Sequence, residues 1–201
     1  MTSENYQVTG PMNLTSELRS GNVGRFRLKY FEFSGADYYV VEKGTIQPES
    51  SPLVRIVSAC SIGHLFNSMR CDCRIQLDLA LEKIEENGLG LLIYAFNHEG
   101  RGVGSRDHVR AHMKQDEGLD TVESYLQLGL PVDRRDYSDI IEIITSYGVS
   151  SIRLLTNNPR KLDIFDSTGI VVERVPLEVK IDQFNAKQLE TKKRKLGHMI
   201  S

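Results

Sequence analysis

The cysteines of this chain point to metal chemistry. Cys60, Cys71 and Cys73 are the only three cysteines among 201 residues. An odd, clustered set is a poor disulfide framework, whereas thiolates are soft ligands that select zinc over magnesium or calcium. Three protein ligands leave a fourth tetrahedral position open, as in catalytic zinc sites. His64 can instead close the shell as a structural site. The spacing does not distinguish a catalytic zinc site from a structural one, and it is also compatible with buried thiols that bind no metal.

Three loops carry residues that can bind phosphate. Glycines and Arg101 alternate in His98–Gly104, acids flank two arginines in Asp133–Asp136, and Thr156–Lys161 combines a hydroxyl, two amides and two cations. Each is predicted to follow a buried strand, so the three loops are expected to converge on one edge of a sheet, where α/β proteins bind ligands. Taken singly, each is also compatible with a plain turn or a helix start.

The elements that must position these residues change character along the chain. Residues 1–22 are expected to be a loose lead-in. Residues 24–33, 37–41 and 53–58 are predicted to be strands of an antiparallel portion. From Gln76 onward, strands (89–96, 152–155 and 171–175) alternate with helices (76–87, 105–115, 138–147 and 160–167), and residues 183–201 are predicted to form a C-terminal helix. The expected fold is one α/β domain: a mostly parallel sheet flanked by helices, with an antiparallel N-terminal β portion.

Composition excludes several classes of protein. Hydrophobic residues make up 40% of the chain and charged residues 26%, which is ordinary for a globular protein. No apolar segment approaches the length of a membrane span, and the first residues do not form a signal peptide, so a cytoplasmic protein is expected. The net charge of −2 argues against a nucleic-acid partner. The basic segment Lys192–Lys195 is interpreted as a solvated helix face.

The motifs together resemble one family. Arg55–Cys60, Arg70–Cys73, Gln76, Glu99–Arg101, Asp120–Glu123, Asp133–Asp136 and Leu154–Pro159 occur in the order and spacing of GTP cyclohydrolase II. The resemblance covers roughly residues 50 to 200. This family opens riboflavin synthesis by hydrolysing GTP to 2,5-diamino-6-(5-phosphoribosylamino)pyrimidin-4-one, formate and pyrophosphate.

The resemblance implies a role for each matching residue. It implies zinc on Cys60, Cys71 and Cys73 in an open catalytic site, magnesium with the triphosphate, and a homodimer. Arg135 matches the residue proposed to attack the α-phosphate and Asp133 its proton acceptor, although a guanidinium is protonated at neutral pH. Water activated at zinc would then open the imidazole ring at C8. The implied substrate contacts are Arg55, Ser58, Gln76, Glu99, Gly100, Arg101, Thr121, Thr156 and Lys161.

The chain also departs from the family pattern. Val57 and Ala59 replace a histidine and a glutamate, and His112 replaces a tyrosine thought to assist the hydrolytic steps. Histidine can still act as an acid or base near neutral pH, so His112 is a third candidate catalytic residue. These departures leave two alternatives open. One is a variant enzyme that stops at the formamide intermediate or uses another purine nucleotide. The other is a non-catalytic GTP-binding protein with structural zinc.

Overall fold

The computed structural model describes residues 5–179 and 181–199, which contain a seven-stranded mixed sheet. The strands are β1 (Tyr6–Glu17), β2 (Val23–Phe33), β3 (Ala36–Lys43), β4 (Leu53–Ser58), β5 (Gly90–Ala95), β6 (Ser151–Leu155) and β7 (Val171–Val175). Their order in the sheet is β1-β2-β3-β5-β4-β6-β7. The helices are α1 (Ser61–Phe66), α2 (Cys73–Asn87), α3 (Ser105–Asp116), α4 (Thr121–Gln127), α5 (Ser138–Thr145), α6 (Arg160–Asp163) and α7 (Ala186–Leu196). A short 3-10 segment, Phe96–Gly102, follows β5.

The sheet changes direction at β5. This strand pairs antiparallel with β3 on one side and parallel with β4 on the other. The pairs β1–β2 and β2–β3 are antiparallel, whereas β4–β6 and β6–β7 are parallel. The predicted α/β class with an antiparallel N-terminal portion is therefore confirmed.

The placement of β4 in the antiparallel portion was wrong. Helices α1 and α2 connect β4 to β5, and a helical crossover of this length returns the chain in the same direction. Strand β4 therefore belongs to the parallel half, and its carboxyl end opens on the same sheet edge as those of β5 and β6.

The expectation of a loose lead-in over residues 1–22 was also wrong for the described part of that segment. Strand β1 pairs with β2 along its length, with an irregularity between Thr9 and Met12. Tyr6 fixes one end by packing its ring 5.3 Å from that of Phe31. Most other β1 side chains are exposed because β1 is an edge strand, so the sequence shows little alternation. Residues 1–4 lie outside the described residues.

Several helix boundaries differ from the predicted ones. Helix α2 begins at Cys73 rather than at residue 76, and α5 ends at Thr145. The helix predicted over residues 160–167 is the single turn Arg160–Asp163 followed by further turns. Of the predicted C-terminal helix, Ala186–Leu196 is helical, and residues 200–201 lie outside the described residues.

Two apolar clusters cover the two faces of the sheet. Alternate residues of the central strands point to opposite faces, so Ile56 packs with Ile140 and Ile143 of α5, whereas Val57 packs with Ala80 and Ile84 of α2. This sandwich fixes the sheet edge at which β4, β5 and β6 end.

Candidate active site

A cleft lies at the carboxyl ends of β4, β5 and β6. The loops His98–Gly104 and Thr156–Lys161 follow β5 and β6 as predicted, whereas Asp133–Asp136 follows α4, so its predicted place after a strand was wrong. The residues predicted for the site that line this cleft are Arg55, Ser58, Cys60, Cys71, Cys73, Gln76, Gly100, Arg101, His112, Thr121, Arg135, Thr156 and Lys161. Asp133 lines an adjoining pocket that shares Arg101 and Arg135 with the cleft. Glu99 is buried beside the cleft and holds its wall. The predicted residues are thus brought together.

The three thiols form one cluster. Cys60 precedes α1, Cys71 lies in the following loop, and Cys73 is the first residue of α2. Their Sγ atoms lie within 4.8 Å of one another, and those of Cys60 and Cys71 are 4.0 Å apart. Thiolates that share one tetrahedral zinc ion are about 3.8 Å apart, given Zn–S bonds of about 2.3 Å. The geometry and the donor type both fit a zinc ion.

The surroundings of the thiols also favour a metal. A Cβ atom on Gly63 would lie 2.8 Å from Cys71 Sγ and 2.9 Å from Cys73 Cβ, so the backbone of α1 packs directly on the cluster. Hydrogen bonds among the thiols lower the pKa of Cys71, whereas they and burial raise the pKa of Cys60 and of Cys73, so one of the three is held as a thiolate. A thiolate is the form of cysteine that binds metal.

His64 is engaged elsewhere. Its Nδ1 atom lies 2.9 Å from the hydroxyl of Tyr94 and accepts a long hydrogen bond from the Cys60 amide. Among the described residues, the groups of three or more candidate ligands are the cysteines and the trio Cys60, Glu99 and His108, and neither contains His64. The arrangement therefore favours three protein ligands and an open position over a shell closed by His64.

The glycine-rich loop after β5 has an unusual backbone. Gly100 and Arg101 adopt left-handed conformations, with φ of 56° and 59°. A Cβ atom on Gly100 would lie 2.7 Å from that of His108, so only glycine fits there. Non-glycine residues adopt this conformation at a cost of about 1–3 kcal/mol, and such strain is concentrated at functional sites. The loop is therefore a shaped part of the cleft rather than a plain turn.

Glu99 connects this loop to the start of α1, next to Cys60. One carboxylate oxygen accepts the Ser61 amide at 2.7 Å, and the other lies 2.5 Å from His108 Nδ1. Burial alone would raise the pKa of Glu99, but the hydrogen bonds from His108 and Ser61 lower it. Glu99 is thus held as a carboxylate next to the thiols.

Asp133 and Arg135 form a two-pronged ion pair. Arg135 Nε and Nη2 donate to the two carboxylate oxygens at 2.9 and 2.6 Å, and Nη1 donates to Ser58 Oγ at 3.0 Å. Arg160 reaches the same carboxylate at 2.7 Å. Burial alone would raise the pKa of Asp133, but the bonds from Arg135 outweigh it and hold the pKa at about 2. Burial likewise opposes the charge of Arg135, yet Asp133 raises its pKa overall.

Two further cations lie in the cleft wall. Lys161 donates to the carbonyl of Ile56 at 2.8 Å, and burial together with the charges of Arg55 and Arg135 lowers its pKa well below the ordinary value. Arg55 donates to the carbonyl of Leu155 at 2.7 Å and to the amide oxygen of Gln76. The buried Nε of Arg55 has no hydrogen-bond partner within the described part of the chain. A ligand with acceptor atoms would satisfy it.

His112 faces the cleft from α3. Its ring centroid lies 4.9 Å from that of His108. Burial, and then the charge of His108, lowers the pKa of His112 to about 4. At neutral pH it is therefore a neutral imidazole that can accept or donate one hydrogen bond.

Some residues of the cleft escaped the sequence reasoning, namely His108, Tyr125, Lys192 and His198. The interpretation of Lys192–Lys195 as a solvated face was only partly right. Lys193 and Arg194 are exposed, whereas Lys192 is 13% exposed and pairs with Asp72. The helical period of α7 carried the signal, because Lys192 follows the buried Leu189 by three positions.

Comparison with known proteins agrees with the motifs. Residues 12–176 match the model of the GTP cyclohydrolase II family. The GTP cyclohydrolase-2 of Histophilus somni (strain 2336) is 43% identical over 180 residues, which are 88% of this chain and 83% of that protein. That of Actinobacillus succinogenes is 42% identical, over 88% of this chain and 82% of that protein. The riboflavin biosynthesis protein RibBA of Aquifex aeolicus is 42% identical over 84% of this chain and 42% of that protein. No helix in the described ranges is long and apolar enough to cross a membrane.

Proposed function

Because the chain belongs to the GTP cyclohydrolase II family, we propose that it hydrolyses GTP, with zinc, to 2,5-diamino-6-(5-phosphoribosylamino)pyrimidin-4-one, formate and pyrophosphate. The observation that carries this proposal is the thiol cluster and the cationic loops sharing one cleft. Magnesium on the triphosphate, a homodimer, one domain formed by residues 1–201, a cytoplasmic location and a place in riboflavin synthesis complete the proposal.

The thiol cluster is the proposed zinc site. Cys60, Cys71 and Cys73 would hold the ion, and zinc with an open position supplies Lewis acidity and activates water near neutral pH. A carboxylate oxygen of Glu99 lies within 4.8 Å of Cys60 Sγ, and the neutral ring of His112 lines the same cleft. Glu99 fixes the loop through Ser61, and His112 can hold or pass a proton during the hydrolytic steps.

The Asp133–Arg135 pair is the proposed phosphate-reacting part of the site. The pair keeps Arg135 charged and Asp133 ionised. Attack by an arginine nitrogen requires loss of its proton, which the bound carboxylate opposes. We therefore assign Arg135 the role of stabilising charge on the α-phosphate, with Asp133 orienting its fork.

The remaining residues are proposed to hold the nucleotide. Charged and polar groups converge on the cleft from all three loops and are suited to a triphosphate and a purine. They are Arg55, Ser58, Gln76, Glu99, Gly100, Arg101, Thr121, Thr156 and Lys161. The unpartnered Nε of Arg55 is the donor left most clearly for substrate.

Loss of GTP from a solution of purified protein, zinc and magnesium tests the proposal. Separation of the nucleotides measures this loss. We expect each protein molecule to consume many molecules of GTP, and we expect a zinc chelator to inhibit the reaction until zinc is added back. Unchanged GTP, with turnover of another purine nucleotide, would assign the site to that substrate instead. Binding of GTP without turnover of any nucleotide would refute the enzymatic role.

A variant reaction that keeps the formyl group is the second candidate, favoured by the neutral imidazole of His112 in the cleft. We expect His112→Tyr to speed formate release by about tenfold or more if the imidazole limits deformylation, since a positioned acid–base group contributes about 10²–10⁴. The ratio of formate to pyrophosphate measures this. Met113→Ala, at an exposed neighbouring position, is the control. An unchanged ratio in His112→Tyr would refute a limiting role for His112.

A further inference from the structure

Helix α7 lies over the cleft. It contributes Gln188 and Lys192 to the cleft lining, and His198 follows it there. The family match ends at residue 176, before α7 begins at Ala186. An ion pair joins α7 to the segment between Cys71 and Cys73. Lys192 Nζ lies 2.6 Å from Asp72 Oδ1, and the Asp72 side chain is 1% exposed.

Asp72 needs a cation because of where it lies. It is between two of the proposed metal ligands, Cys71 and Cys73, and immediately precedes α2. A buried carboxylate beside thiolates is costly unless it is paired and hydrogen-bonded. Lys192 supplies the charge, and Asp72 in turn raises the pKa of Lys192 against the effect of burial.

Asp72 is also connected to Arg55, through the side chain of Gln76. Its second carboxylate oxygen accepts a hydrogen bond from the side-chain amide of Gln76. That bond turns the amide oxygen of Gln76 toward Arg55, which donates to it through Nη2. The carbonyl of Leu155 holds Nη1 at 2.7 Å. Both terminal nitrogens of Arg55 are therefore held by hydrogen bonds, while its buried Nε has no partner in the described residues.

We propose that Lys192 is a positioning residue, which acts through Asp72 and Gln76 to hold Arg55 ready for the acceptor atoms of a purine nucleoside triphosphate and keeps α7 closed over the bound nucleotide. This inference rests on the proposed function. Lys192 thus belongs to the cleft, although its neighbours Lys193 and Arg194 are exposed to solvent. The exposed pair Arg194–Glu190 on the same helix has no such role.

The test uses full-length Lys192→Met, which keeps the apolar stem and removes the charge. We expect KM for GTP to rise by about tenfold to a hundredfold, because Asp72 loses its partner and Arg55 its orientation. We expect kcat to change less than KM and bound zinc to stay at the wild-type amount. The matched control is Glu190→Gln, which removes an exposed ion pair from α7 and is expected to leave both constants unchanged.

A second variant separates positioning from general destabilisation. Asp72→Asn combined with Lys192→Met contains no unpaired charge, and the amide oxygen of the introduced asparagine still accepts the bond from Gln76. We expect its KM to lie closer to the wild-type value than that of Lys192→Met. Faster amide hydrogen exchange across α7 in Lys192→Met than in Glu190→Gln would report the loss of closure.

Two outcomes would overturn the inference. One is an unchanged KM in Lys192→Met, and the other is an equal loss in the single and double variants. Either can occur while the wild-type protein turns over GTP, so the proposed function would stand. If the wild type does not turn over GTP, the proposed function fails, and the dissociation constant of GTP takes the place of KM in the same comparison.

Discussion

Cys71→Ser is expected to abolish release of formate from GTP. A hydroxyl is a far weaker zinc ligand than a thiolate, and hydrogen bonds from Cys60 and Cys73 lower the pKa of Cys71 toward the thiolate form. Loss of metal activation removes several kcal/mol of transition-state stabilisation, so we expect the rate to fall about a thousandfold or more. Zinc per chain, measured by elemental analysis, is expected to fall with the rate.

The control for this variant is Leu65→Ala. Leu65 is 76% exposed on α1, the helix that packs on the thiols, so its loss tests damage to α1 without touching a ligand. We expect it to keep both zinc and activity. Cys71→Ser protein that is folded, lacks zinc and still releases formate from GTP would refute a catalytic metal. Retained zinc with lost activity would move Cys71 from the ligand set to another role.

Arg135→Ala is expected to lower kcat/KM for GTP by about a hundredfold or more, the magnitude found when a single charge-stabilising donor is removed from an active site. The variant also leaves Asp133 with Arg160 as its remaining ion-pair partner. Arg135→Lys is expected to recover part of this loss, because lysine restores a charge but not the fork. Steady-state kinetics with a pyrophosphate assay measures both variants.

Arg134→Ala is the matched control, one residue away and exposed. We expect it to behave as the wild type. The two proposed roles of Arg135 differ in their expectations. A nucleophilic arginine predicts that Arg135→Lys and Arg135→Ala are equally inactive in pyrophosphate release and that a phosphoramidate accumulates on Arg135 during turnover. Detection of that adduct by mass spectrometry would contradict the charge-stabilising role assigned here.

The parallel half of the fold could be predicted well because its signals are local. The apolar strand β5, buried on both faces, and the following glycine-rich loop indicate a sheet edge with a ligand site. Edge strand β1 could not be found in this way, since its side chains are mostly exposed and its pairing with β2 leaves no pattern in the sequence. The direction of β4 was within reach of the sequence, because the helix predicted over residues 76–87 makes a crossover between β4 and β5.

The site was predictable where residue type alone restricts the chemistry. Three cysteines close in sequence predict thiols that meet in space, and their Sγ atoms do lie within 4.8 Å of one another. The role of His64 needed the position of Tyr94, which holds its Nδ1 atom. Lys192 was missed because it depends on a long-range partner. A basic segment is usually solvated, and only the packing of α7 turns Lys192 toward Asp72.

The proposed reaction is best tested by a mass-resolved product analysis after incubation with GTP, zinc and magnesium, with formate and pyrophosphate measured in the same samples. We expect equal amounts of formate, pyrophosphate and the diaminopyrimidine monophosphate, and neither formate nor the diaminopyrimidine with Cys71→Ser. Pyrophosphate with a pyrimidine that keeps its formyl group, and no formate, would contradict the proposed products and favour the variant reaction instead.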